Sequence, residues 1–212
     1  VAAVAAEEGF ADKVTMTIEQ GIYGGIPAQG AIFGVASNPD AFLDESTQFD
    51  FYSGHGLDTT FLGLAQADAQ GNVNVSKFGT TISGSGGFID ISQSAKKVVF
   101  CGTFTTGGLK TAIEDGRLVI QQEGRIHKFV PAVEQITFST KYAAEEQQTV
   151  VYVTERAVFR LTQDGVVLTE IAPGVDLEKD VLAQMDFRPK VAEDLKIMDE
   201  CIFRPERMHC KE

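Results

Sequence analysis

The sequence predicts an α/β protein with an open, mostly parallel sheet and flanking helices, joined to an antiparallel β section in the C-terminal half. Three observations carry this reading. Between residues 57 and 101, short apolar runs separated by glycine-rich loops show little alternation, as strands covered on both faces do. From Thr149 to Glu170, polar and apolar residues alternate in runs joined by Glu155-Arg156 and Asp164-Gly165, the pattern of a meander. Asp176 opens a helical stretch to about Met185, with Pro173-Gly174 before it and Pro189 after it.

The first elements follow from local signals. Val1 to Glu8 is helix-forming and stops at Gly9. That helix has no Ser, Thr, Asp or Asn ahead of it to cap its first N–H groups, so the chain is expected to begin mid-helix with upstream sequence missing. Lys13 to Ile18 reads as a strand running into the glycine- and proline-rich turn Glu19 to Pro27. Ala31 to Ala36 is a second apolar run, ended by Asn38-Pro39-Asp40. Phe49 to Tyr52 reads as a short aromatic strand, and Ser53-Gly54-His55-Gly56 as a loop.

Further along, Leu57 to Ala67 reads as a buried strand with its flanks, and Gln70-Gly71-Asn72 turns into Val73 to Ser76. A second glycine cluster follows at Gly84 to Phe88, then a buried strand at Lys96 to Phe100. Gly116 to Ile120 and Lys128 to Val130 read as strands flanking a turn at Glu123-Gly124, and the tail from Ile202 as irregular. With 212 residues, 43% of them hydrophobic and 23% charged, and no long linker, a single catalytic domain over 1–212 is expected.

The formal net charge of −12 disfavours nucleic acid as a partner, because phosphate contacts need clustered Lys and Arg, and it disfavours an anionic membrane surface, so neither is expected. No run reaches the roughly 18 apolar residues of a membrane span, and no signal-peptide pattern is present. Cys101, Cys201 and Cys210 are odd in number and form no CxxC pair, and neither His127 nor His209 stands at a metal-ligand spacing from them. A reducing, cytoplasmic compartment without structural zinc is the expectation.

Glu19 is the sharpest candidate for chemistry. At the carboxyl end of a strand it would stand where open α/β sheets place ligands, and a carboxylate there serves as base, metal ligand or nucleophile, or is merely solvated. Gly21, Gly24 and Gly25 remove side chains around it, leaving room for a bulky ligand. Gly54-His55-Gly56 is either a source of oxyanion-binding N–H groups or a tight turn, and His55 either a base or simply exposed. Gly84 to Phe88 lacks the strand-to-helix context and downstream acid of a dinucleotide fingerprint. Lys77 is a phosphate or pantetheine contact or a solvated lysine. Thr103 to Gly108 reads as a turn after a strand, and Glu155-Arg156 as a hairpin connection.

Glu19-Gln20-Gly21-Ile22-Tyr23-Gly24-Gly25 resembles the E-x-G-x-x-G-G loop of family I CoA-transferases. Gly54 to Gly63 resembles the second signature of that family and Gly84 to Phe88 the third. The likeness is greatest to acetate and propionate CoA-transferases and includes Asn72 to Gly79 and Ile171 to Phe187. The resemblance implies a fold shared with sugar-phosphate isomerases, of which this would be the second, catalytic half. It implies Glu19 as the nucleophile, Gly56 or Gly54 as oxyanion donor, and Gly21, Gly24, Gly25, Lys77 and Gly86 as contacts for coenzyme A. No permanently bound cofactor or metal is implied; CoA is substrate and covalent intermediate. The implied partners are acyl-CoA, short-chain carboxylates, the missing N-terminal half and further copies of the enzyme. Gln20 stands where the ketoacid transferases have Asn, a subgroup difference. An acyl-CoA hydrolase using the same glutamate is the alternative, told apart by whether acyl-CoA is consumed without a second carboxylate. A non-enzymatic effector-binding module on the same fold would bind CoA without ever becoming labelled.

Overall fold

Val98 and Phe100 are fully buried on one side of the Lys97–Cys101 strand and Val99 is buried on the other, so this strand sits inside a sheet with both faces covered. The computed structural model describes residues 1–54 and 56–208; His55, His209 and Cys210 lie outside them. The expected single domain divides into two compact units, one of Val1–Gly56 with the chain from Pro205 onward, the other of Leu57–Arg204.

The second unit is built on a six-stranded sheet in the order Lys190–Ile197, Gly165–Ile171, Ala157–Thr162, Thr149–Val153, Lys97–Cys101, Thr59–Gly63. The last three strands are parallel to one another, and Lys190–Ile197 is parallel to its neighbour. Thr149 to Ile171 forms the expected antiparallel meander. The register stacks Phe100 beside Tyr152 and Tyr152 beside Phe159, which seeds an aromatic core with Phe88, Phe104, Phe129 and Phe138. The Tyr152 hydroxyl, buried in that core, donates to the Gly71 carbonyl.

Several expectations change. Gly84 to Phe88 does lead into a helix, Phe88–Ser94, with Phe88, Ile91, Ser92 and Ala95 buried at the i, i+3, i+4, i+7 spacing of one helical face. Its last carbonyls are capped by Gln148, whose Nε2 donates to Ser92, Gln93 and Ala95. Thr140–Glu145 is a further helix. The hairpin placed around Glu123-Gly124 instead turns at Asp115-Gly116, both with positive φ, and pairs Lys110–Glu114 with Arg117–Gln122. Asp176 does accept the N–H of Lys179 at 2.8 Å, but what it caps is a π-helical turn and a 3-10 turn ending at Gln184. The strand Lys190–Ile197 escaped notice because its charges mask the β pattern; those charges suit an edge strand, since they discourage pairing with another chain.

In the first unit, Thr17–Ile18, Ile22–Tyr23 and Ala41–Phe42 form a small antiparallel sheet. The Lys13–Ile18 strand is thus shortened to two residues, preceded by a 3-10 turn at Ala11–Lys13. Phe49 to Tyr52 is not a strand but part of the helix Glu45–Ser53. The residues it buries are Gln48 and Tyr52, four apart, so helical rather than alternating spacing decides.

Arg156 is more than a hairpin connection. It is fully buried, its guanidinium paired twice with Glu123 (2.6 and 3.1 Å) and once with Glu155 (2.7 Å), 5.0 Å above the Phe104 ring. Its Nη1 also donates to the Asp180 carbonyl at 2.9 Å, and Glu155 accepts the Phe104 N–H at 2.8 Å. Four separate segments are tied by this one cation. Burial pushes the Glu123 carboxyl up, but hydrogen bonds from Arg156 and Thr105, the Arg156 charge and the Gly124 N–H outweigh it and hold it below its ordinary 4.5. Stability from a carboxylate so depressed is complete above pH 4.5 and is lost as pH falls through the lower folded value. Arg156→Met strands two carboxylates and is expected to cost about 3–5 kcal/mol near neutral pH, and to shrink the acid-dependent loss of stability below pH 4.5. Urea unfolding near pH 7 and near pH 4 measures both; an unchanged midpoint near pH 7 counts against the tie.

Candidate active site

Glu19 and Gln20 are the two central residues of a tight turn, closed by the Gly21 N–H donating to the Ile18 carbonyl at 3.0 Å. The flanking strands pair as Thr17 with Tyr23 and Ile18 with Ile22. Glu19 therefore does follow a strand, as expected, but that strand belongs to a short hairpin and not to the parallel sheet. The chain reverses after two residues, so no long strand can form there.

The glycines after Glu19 act differently from the expectation that they clear room for a ligand. Gly21 has φ +98° and a Cβ there would collide with the Leu43 carbonyl; at Gly24 it would collide with the Asp40 carboxylate; at Gly25 it would come within 2.5 Å of the Ser37 carbonyl. Their first role is to let the segment 37–43 of the same chain close over the hairpin. Two backbone bonds fix that closure: Leu43 N–H to the Gly21 carbonyl at 2.7 Å and Asp40 N–H to the Tyr23 carbonyl at 2.9 Å.

The helix Glu45–Ser53 then returns along the turn. Tyr52 is buried and donates to Thr17 Oγ1 at 2.8 Å. Glu19 is half-buried. Burial raises its pKa above the ordinary 4.5, and the Glu45 carboxylate raises it further, since a second negative charge opposes ionisation. Glu45 lies in a segment whose apolar residues do not follow helical spacing; the one signal for a helix there is Asp44, a capping residue type directly before it. At the helix end, Gly54 N–H donates to the Asp50 carbonyl at 3.0 Å and Gly56 N–H to the Phe51 carbonyl at 3.1 Å. Both N–H groups proposed for an oxyanion are thus engaged in closing the helix. Gly56 has no room for a side chain, whose Cβ would lie 2.6 Å from the Phe51 ring.

Glu19, Gly21, Gly24, Gly25, Gly54 and Gly56 come together in the first unit, while Lys77 and Gly86 belong to the second. Lys77–Phe78 pairs with Thr81–Ile82, and Ser83 and Gly84 both donate to the Ser76 carbonyl. The Lys77 charge acts on Glu134, whose carboxyl is held below its ordinary value mainly by the Gly79 N–H and Gln66. Gly84 and Gly86 have φ of +80° and +51°, and a Cβ at either would meet nothing within 4 Å. These two glycines therefore leave backbone open to solvent, the opposite of Gly21 and Gly24.

Among the described residues no group of three or more His, Cys, Asp or Glu is placed to hold a metal ion, and no helix is long and apolar enough to cross a membrane.

No family model matches the sequence. Individual proteins do. The acetate CoA-transferase YdiF of Escherichia coli strain K12 is 55% identical over 200 residues, 94% of this chain and 38% of that protein. The caffeate CoA-transferase of Acetobacterium woodii is 50% identical over 208 residues, 96% of this chain and 40% of that protein. A crystal structure of acyl-CoA transferase YdiF from Escherichia coli O157:H7, a thioester complex with CoA, superposes with a TM-score of 0.93 at 51% identity, over 99% of this chain and 40% of that one. The chain thus spans about two fifths of the length of the relatives it matches. Over nearly all its residues the chain matches, in sequence and fold, part of these CoA-transferases.

Proposed function

We propose that this chain carries the nucleophile of a CoA-transferase, and that Glu19 passes CoA from a short-chain acyl-CoA to a carboxylate such as acetate by a ping-pong mechanism. A Glu19 oxygen attacks the thioester carbonyl carbon and expels CoA thiolate, leaving a mixed anhydride. The thiolate attacks the Glu19 carbonyl carbon and expels the first acid as its carboxylate, leaving a glutamyl-CoA thioester. A second carboxylate attacks the same carbon and expels thiolate again. The thiolate then takes the new acyl group from the second anhydride and frees the Glu19 carboxylate. Every step exchanges one acyl–oxygen or acyl–sulfur bond for another, so no redox partner enters.

The observation that carries this reading is the placement of Glu19 at the head of a closed turn, half-buried and with a raised pKa. A carboxylate is a weak nucleophile in water, but fixing it against a thioester supplies roughly 7–11 kcal/mol of the barrier through positioning. Partial burial also removes water that would hydrolyse the anhydride. Gly21, Gly24 and Gly25 serve by holding the turn in shape. Lys77 and the open backbone at Gly86 are the proposed contacts for CoA. An oxyanion donor from Gly54 or Gly56 requires the bonds that close the Glu45–Ser53 helix to open.

The relatives bearing the names acetate and caffeate CoA-transferase are similarly alike to this chain, which is why the preferred acid is a matter for competition assays. The relatives are longer than this chain, which leaves room for the proposed N-terminal half, and the whole enzyme is proposed to work as a homo-oligomer. The free thiolate must stay reduced, which fits the cytoplasmic compartment read from the cysteine count.

Two measurements test the assignment. Full-length enzyme incubated with acetyl-CoA is expected to carry CoA on the peptide containing Glu19, and Glu19→Ala to abolish both the adduct and turnover; an adduct surviving in Glu19→Ala refutes the assignment. Glu19 must be ionised to attack, so activity is expected to fall as pH drops through a value above 4.5. Glu45→Gln removes the second cause of the raised pKa and is expected to move that acid limb to lower pH; a limb that stays in place, or rises, removes Glu45 from the site.

A further inference from the structure

Gln48 is wholly buried, and neither its Nε2 nor its Oε1 has a hydrogen-bond partner among the described residues. Buried amides are paired as a rule, because a donor or acceptor stripped of water loses free energy without return. Two orphaned atoms on one side chain mark a group kept for something other than the resting structure.

The chain's own bonds place this amide. Leu43 N–H donates to the carbonyl of Gly21, so the polypeptide enters the helix beside the residue two positions beyond Glu19. Tyr52 donates to Thr17, so the far end of the helix lies beside the residue two positions before Glu19. Glu45, Gln48 and Tyr52, at i, i+3 and i+7, share one helical face. With a rise of about 1.5 Å per residue, Gln48 stands about 4–5 Å along the axis from Glu45 and about 6 Å from Tyr52. Along the helix, Gln48 therefore lies between the two contacts that bracket Glu19 in the sequence. The influence of Glu45 on the ionisation of Glu19 agrees with this placement.

We propose that the Gln48 side-chain amide is a catalytic donor to the Glu19 carboxyl once that carboxyl is acylated, an inference that rests on reading Glu19 as the nucleophile. In the anhydride and in the glutamyl-CoA thioester, one Glu19 oxygen remains as a carbonyl. Attack on the Glu19 carbon, by thiolate on the anhydride or by the second carboxylate on the thioester, gives a tetrahedral adduct in which that oxygen carries the negative charge. The adduct collapses by expelling carboxylate in the first case and thiolate in the second, and the oxygen returns to a carbonyl. An N–H aimed at it stabilises the adduct more than either neighbouring state. On this reading the side-chain torsions of Gln48 carry Nε2 to that oxygen, and an uncharged amide brings no fixed counter-ion that would hold the resting carboxylate.

The test uses the full-length enzyme. Gln48→Met keeps the length of the side chain and removes both orphaned atoms. A melting temperature equal to or above that of the wild type is expected, since an unsatisfied buried amide is lost. Formation of the CoA adduct on Glu19, followed by rapid quench and mass spectrometry, is expected to slow about 100-fold, with KM for acyl-CoA within about twofold of wild type. A folded Gln48→Met that forms the adduct at the wild-type rate overturns the inference and leaves the Glu19 reading intact. A wild-type enzyme that never acquires the adduct overturns the Glu19 reading itself, and this inference with it. Gln48→Leu gives the same comparison if the methionine variant does not fold, and failure of both to fold shows the amide to be structural and overturns the inference.

Discussion

The first unit depends on a steric constraint: the segment 37–43 must lie against the Glu19 hairpin closely enough that no side chain fits between them. Gly21 meets this with its carbonyl bonded to Leu43 and its α-carbon facing the Leu43 carbonyl. Once that contact forms, the direction of the following helix is set, and with it the positions of Glu45, Gln48 and Tyr52 along the turn. The Glu19 carboxylate is held by the chain that follows it. A rigid carboxylate raises local reactivity only if its surroundings are equally rigid, and two successive backbone bonds, at Gly21 and Tyr23, provide that.

The second unit solves a different problem. Its parallel strands bury Val98, Phe100, Val150 and Tyr152 on a sheet that needs cover on both faces, and the aromatic side chains from loops and helices supply it. The transition to antiparallel pairing after Thr149–Val153 places the Glu155-Arg156 connection at the carboxyl edge of the sheet, where a buried cation would be costly if unpaired. Glu123 and Glu155 neutralise it, and the knot secures loops that the sheet alone would leave loose.

Much of this is legible in the sequence, and each failure has its own physical cause. The strands of the sheet core were found where β-branched and aromatic residues run together, as in Lys97–Cys101 and Thr149–Val153. Glu19 is legible from its glycines, and those glycines make way for the protein's own backbone. Phe49 to Tyr52 misled because three aromatic residues in four resemble a strand, whereas the buried positions are Gln48 and Tyr52. A buried glutamine is invisible to hydrophobic patterning, so the helical face beside Glu19 could not be read. Lys190–Ile197 is hidden for the converse reason, a strand in which charged residues are as many as apolar ones. Arg156 was passed over because hairpin connections are ordinarily solvated, and nothing in its local sequence announces partners 33 and 24 residues away.

The bond from the Tyr152 hydroxyl to the Gly71 carbonyl spans 81 positions. During synthesis the turn at Gly71 leaves the ribosome long before its partner exists, and the strand Thr59–Gly63 likewise waits for Lys97–Cys101. The early half of the second unit therefore emerges as a set of apolar segments with no finished sheet to enter. Their exposure ends only when the Thr149–Val153 strand has been made, which makes this stretch of the nascent chain the natural client of a chaperone.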